Sequence, residues 1–122
     1  MTWISIALGG ALGSISRYGI DLALARFESF PFGTLSANAL GSLIIGVAAG
    51  FWELDQRKTP TVLFIITGFC GGFTTFSTFS LQTLELIQRN DLPRAGLNIT
   101  ASFTLCLLCT WLGWIMGQSL KK

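Results

Sequence analysis

Residues 68–80 read GFCGGFTTFSTFS, between the apolar runs TVLFIIT and LQTLELI. The stretch places five hydroxyls (Thr74, Thr75, Ser77, Thr78 and Ser80) among phenylalanines at 69, 73, 76 and 79. On a helix Phe76 and Phe79 share a face at i, i+3, with Thr75 and Thr78 on the neighbouring stripe. A phenyl ring is negative on its face and positive at its edge. Ring edges beside hydroxyl and amide donors therefore form a neutral, weakly electropositive lining that suits a small anion. The same spacing also serves rings packed against other helices, and periodicity alone favours that second reading. Gly71 and Gly72 each weaken a helix by about 1 kcal/mol relative to alanine and open backbone angles that other residues avoid. An interruption is expected at this pair. At membrane depth, backbone groups freed there must be covered by protein, line water or bind an ion, and freed carbonyls offer hard oxygen ligands to a small cation.

Other polar residues fall at helical spacing. Thr34, Asn38 and Gly41 share a face at i, i+4, i+7, with Ser36 and Ser42 nearby, and Asn38 is the costliest of these to bury. Asn98, Ser102, Cys106 and Thr110 recur every four residues, a polar strip that drifts slowly around a helix. Each set reads either as a track for an ion or as a hydrogen-bonded seam between helices. Catalytic chemistry has little to work with. The chain has no His, and Asp21 and Glu85 stand towards segment ends, so a proton relay and general acid/base catalysis lack their usual groups. No phosphate-cradling loop or metal-ligand cluster is present, no nucleic-acid partner is expected, and the chain is not expected to be an enzyme. Cys70, Cys106 and Cys109 are expected to stay reduced as small buried residues; the i, i+3 pair Cys106 and Cys109 lacks the further ligands a soft metal needs.

The elements that carry these residues are apolar and long. Of 122 residues only 11 % are charged, against roughly a quarter in a soluble domain. Uncharged stretches run 24 residues from Ser29 to Trp52, 26 from Thr59 to Leu84 and 26 from Ala95 to Leu120, each beyond the roughly 20 that span a bilayer as a helix. The N-terminal stretch, uncharged to Ser16, reads as a fourth span; it has no basic segment ahead of its apolar run and no clear cleavage site, so a secretory signal is not expected. The expectation is a single all-α membrane domain over 1–122, with spans at about 3–25, 32–52, 61–86 and 95–119. Short connections near Arg26–Pro31, Glu53–Pro60 and Arg89–Arg94 each include or adjoin a proline.

With four spans, Arg57, Lys58, Lys121 and Lys122 fall on one side, and Arg17, Arg26, Arg89 and Arg94 on the other. Orientation follows an excess of Lys and Arg in short loops, and four against four gives none. Two readings follow. Either a poorly placed residue such as Arg17 decides, or the chain inserts both ways and closes as an antiparallel pair. The pairs Gly9/Gly13, Gly46/Gly50 and Gly113/Gly117 carry the small-xxx-small spacing that lets membrane helices approach closely.

GGALGSISRY in the first span, GTLSANALGSLIIG in the second and GFCGGFTTFSTFS in the third, in this order over essentially the whole chain, resemble the fluoride channel family called Fluc or CrcB. The resemblance implies a four-span protein of the bacterial plasma (inner) membrane, with a break in the third helix, assembled as an antiparallel dual-topology homodimer. It implies fluoride export by passive electrodiffusion through two pores, and a structural Na+ at the dimer centre. By the same resemblance Phe76, Phe79 and Asn38 contact fluoride, while Thr34, Ser102 and Cys106, beside Thr75 and Thr78, lie on its polar path. Arg17 matches a vestibule position, and the main-chain carbonyls of Gly71 and Thr74 match the sodium ligands. Cys106 stands where serine is frequent and Gln82 where some members have glutamate. The alternative is a small multidrug-resistance-type transporter, also short, four-span and of dual topology, although it typically needs a glutamate embedded in the first span, which this chain lacks.

Overall fold

The computed structural model describes residues 1–27 and 29–121; Glu28, and Lys122 of the terminal basic pair, lie outside them. Among the described residues all regular structure is helical: α1 Thr2–Leu24, α2 Phe32–Phe51, a 3-10 turn Gln56–Lys58, α3 Pro60–Leu63, a π-helical segment Phe64–Cys70, α4 Gly71–Phe73, α5 Phe76–Gln88 and α6 Leu92–Ser119. Proline and capping side chains set the boundaries. Pro60 occupies the first turn of α3, where its missing N–H costs nothing. Asp91 caps α6 by accepting from the Arg94 N–H at 3.3 Å and pairs with the Arg94 guanidinium at 2.8 Å. The preceding turn is made by Asn90 at φ 58°, a left-handed angle that asparagine tolerates.

Phe32–Phe51, the stretch Pro60–Gln88 and Leu92–Ser119 are long and apolar enough to cross a membrane. At 23 residues, α1 matches them in length but carries Arg17, Asp21 and several small or hydroxyl residues.

Glycine sets the helix pairing. α2 packs chiefly on α6, where Gly46 and Gly50 seat against the Thr110 and Trp114 carbonyls, and Gly113 and Gly117 against those of Leu43 and Val47. α1 packs on the π-helical segment and α4, with Gly9 and Gly13 against the carbonyls of Phe64 and Phe69, and Gly72 against that of Gly10. All three glycine pairs thus serve contacts inside one chain. A methyl at Gly113 would strike the Leu43 carbonyl and lie 2.9 Å from the Val47 nitrogen, whereas one at Gly96 meets nothing within 4 Å. Gly113→Ala is therefore expected to lower stability by about 1–3 kcal/mol through overpacking. Gly96→Ala should leave it unchanged or raise it by up to about 1 kcal/mol through helix propensity. Thermal unfolding of both variants in detergent checks the contrast; equal shifts would contradict the packing.

The connections gather at two ends. Lys121 reaches Glu53 at 2.5 Å, joining the C-terminus to the second connection, and Arg57 donates to the Ala49 carbonyl at 2.7 Å, closing the end of α2. The first and third connections meet around a polar cavity of about 450 Å³ lined by Asp21, Thr34, Gln82 and Arg89 among others.

Extended angles appear between α4 and α5 at Thr74 (φ −88°, ψ 155°) and Thr75 (φ −152°, ψ 117°). Gly71, at φ −62° and ψ −39°, is helical, and Gly72 lies within α4. The glycine pair was expected to supply the irregular backbone itself; Gly72 supplies closeness to α1 instead, and the irregular residues are threonines held by side-chain hydrogen bonds.

Candidate functional site

Asn38 faces the extended pair from the middle of α2. The Thr75 N–H donates to Asn38 Oδ1 at 2.7 Å, and Asn38 Nδ2 donates to the Thr75 carbonyl at 3.1 Å. One side-chain amide thus satisfies both backbone groups of an extended residue, and one Asn38 N–H remains to be given elsewhere. Gly41, one turn along α2, admits Thr74, whose methyl would collide with any Cβ there. Thr74 folds back, its hydroxyl donating to the Cys70 carbonyl at 2.8 Å, which also accepts the Thr74 N–H at 2.9 Å. In a continuous helix the Thr75 N–H would go to the Gly71 carbonyl; with that donor turned to Asn38, the carbonyl loses its helical partner.

Thr75 also starts α5, its hydroxyl accepting from the Thr78 N–H at 3.2 Å and donating to the Thr78 hydroxyl at 3.1 Å. The Thr78 N–H, one of the first donors of α5, is thereby satisfied.

An open-sided groove of about 460 Å³ lies between α2, the third-span segments and α6. Asn38, Thr75, Phe76, Phe79, Ser102 and Cys106 converge on it, with Gly71 and Thr74 at its wall, and every residue lining it is uncharged. Phe76 is 70 % exposed and Phe79 7 %; their ring centroids are 5.3 Å apart at 47°. Phe79 also meets Phe103 of α6 edge to face at 6.2 Å. The Ser102 hydroxyl is buried on this groove with no hydrogen-bond partner. An unpartnered buried hydroxyl costs about 1–3 kcal/mol, which a polar group or water entering the groove would offset.

Three residues assigned from sequence stand outside the groove. Thr78 turns its hydroxyl to Thr75, and its N–H is consumed in the cap. Thr34, one turn from Asn38, lines the neighbouring polar cavity, its hydroxyl buried and unpartnered. Arg17 is half-buried, and its Nε donates to the Gly72 carbonyl at 3.3 Å, a carbonyl that Ser14 Oγ also approaches at 3.5 Å. The contact caps the C-terminal end of α4, where a cation is favoured. Asn98, at the head of the polar strip on α6, is buried and donates to Thr83 Oγ1 at 2.9 Å, joining α6 to α5. One wall feature was missed in the sequence: Phe103, whose neighbours read as an ordinary apolar face. Gln82, noted in the sequence as standing where some members have glutamate, lines the polar cavity beside Thr34 with its buried Oε1 unpartnered.

The family model for CrcB-like protein, Camphor Resistance (CrcB), matches residues 4–114. A protein of Opitutus terrae named fluoride-specific ion channel FluC is 46 % identical over 98 % of this chain and 95 % of its own length. One of the same name from Paramagnetospirillum magneticum is 43 % identical over 100 % and 99 %, and one from Flavobacterium psychrophilum 42 % over 94 % and 95 %.

Proposed function

Because the chain belongs to the CrcB-like family and is a multi-pass bacterial membrane protein, we propose that it is a fluoride channel, working by passive electrodiffusion as an antiparallel homodimer of four-span subunits. The observation that carries this reading is the uncharged groove where Asn38, the Phe76 and Phe79 rings and the unpartnered Ser102 hydroxyl converge. Fluoride holds its water tightly. A path for it must replace that water with donors, and the free Asn38 N–H, the Ser102 and Thr34 hydroxyls and the ring edges supply them. Phe76, largely exposed beside Phe103 and Leu107 at the open side of the groove, is covered once a second copy closes over it. The even balance of basic residues lets copies of opposite orientation coexist.

The extended pair Thr74–Thr75 is the break in the third span, and its backbone fits the sodium ion the family resemblance implies. The Gly71 carbonyl has lost its helical donor to Asn38, and Gly71 faces open space. Gly71 and Thr74 would hold the ion through main-chain oxygens, two from each of two copies, which is the hard-ligand chemistry such a cation takes. Bound, it supplies a fixed positive charge among those carbonyls. Arg17 and Ser14 hold the neighbouring Gly72 carbonyl and keep α4 in place.

Electrodiffusion is electrogenic. Fluoride loaded into liposomes with the protein should stay inside until a potassium ionophore relieves the charge, and then leave rapidly. Efflux indifferent to the ionophore, or uptake of a cationic drug against a proton gradient, would favour the small multidrug-resistance-type reading instead.

A further inference from the structure

Cys106 lies one turn from Cys109 in sequence, but the cysteine that shares its groove is Cys70. Both line the groove, Cys70 from the end of the π-helical segment and Cys106 from α6, and neither is in a disulfide. Cys109 does not line it. The Ser102 hydroxyl, on the same face of α6 as Cys106, is 93 % buried by its residue (7 % exposed), lines the same groove and has no partner. Two thiols and one unclaimed oxygen thus share a cavity whose lining carries no charge.

We infer that this groove is a binding site for a soft, thiophilic divalent cation of the Hg2+ class, held between Cys70 and Cys106 with Ser102 beside it, and that its occupation closes the ion path. Thiolate sulfur selects soft metals, and the ligand is the thiolate, so binding releases protons. Two thiols each give one proton to water and form one sulfur–metal bond. Two thiolate charges then balance one divalent cation, leaving a neutral complex. Neutrality matters here because an uncompensated charge in an apolar, uncharged setting is very costly, which disfavours a monovalent soft cation bridging the same two sulfurs. The metal occupies the space between Asn38, Phe79 and Ser102 that the proposed fluoride path crosses. The blocking half of the inference rests on that reading; the binding half does not.

The test uses the full chain in the Cys109→Ser background, so that the groove thiols alone remain. Titrating the folded protein with HgCl2 while counting free thiols should consume both thiols with one Hg2+ per chain. Two Hg2+ per chain, or one thiol left free at one equivalent, would overturn the bridged site. Cys70→Ala and Cys106→Ser should each hold Hg2+ weakly enough for a monothiol competitor to strip it, while the parent retains it; retention by either variant would also overturn the site. In liposomes, Hg2+ should abolish fluoride efflux and dithiothreitol should restore it. Each single variant should keep its own metal-free rate when Hg2+ is added and then removed by the competitor. Bridging without loss of flux places the metal off the ion path and refutes the block. A protein that moves no fluoride under any condition refutes the channel reading, while the thiol count still decides the site.

Discussion

Asn38→Asp is expected to abolish fluoride flux. The structure gives the reason in two parts. Asn38 Oδ1 accepts from the Thr75 N–H, a bond aspartate preserves, but Nδ2 donates to the Thr75 carbonyl, and aspartate puts an oxygen against that oxygen. The remaining Asn38 N–H, the donor available to a passing anion, is also lost. In their place stands a negative charge in a groove lined only by uncharged residues. A like charge at about 4 Å costs about 4 kcal/mol at an effective dielectric of about 20, which is roughly a thousandfold in rate. Fluoride-electrode traces of reconstituted liposomes, with dimer content followed by size exclusion, measure it. Flux within a few fold of the parent would remove Asn38 from the path.

Phe76→Ile is expected to cut fluoride flux by at least about tenfold without loss of folded protein. The two phenylalanines do not test the same thing. Phe79 is buried and packs on both Phe76 and Phe103, so its replacement mixes path with packing, an aromatic pair being worth about 0.5–1.5 kcal/mol beyond area. Phe76 is 70 % exposed within the chain, and a large apolar side chain in its place costs the subunit little. Isoleucine keeps the grease and removes the quadrupole. Matching thermal unfolding with collapsed flux assigns the ring edge to the ion, whereas unchanged flux assigns Phe76 to packing.

Three long helical stretches, Phe32–Phe51, Pro60–Gln88 and Leu92–Ser119, were legible because charge is excluded from a membrane span and each uncharged run is bounded by Lys, Arg or Glu; α1 carries Arg17 and Asp21 and is not marked off by charge. The glycine pairs were legible as close-packing positions, since i, i+4 spacing puts both on one face. Which helix each pair meets was not, because that depends on contacts far apart in sequence. The Gly71–Gly72 pair shows the limit clearly. Flexibility read from composition placed the irregular backbone at the glycines, but the angles that depart from helix belong to Thr74 and Thr75. Asn38, far away on α2, takes the Thr75 hydrogen bonds that a helix would use. For the same reason Phe103 was missed. Asn38, Phe76 and Phe79 were singled out by periodicity, which left packing and path both open for Asn38 and favoured packing for the phenylalanines. The resemblance, and then the groove that gathers them, brought them together.

Fluoride selectivity is tested most directly by the rate of fluoride efflux against chloride efflux from the same liposomes, with the same ionophore and the same protein. A neutral groove of N–H, O–H and ring-edge donors, built to replace the water of a small anion, predicts rapid fluoride efflux with chloride at the rate of protein-free vesicles. Equal passage of both anions, or passage of neither, would contradict it.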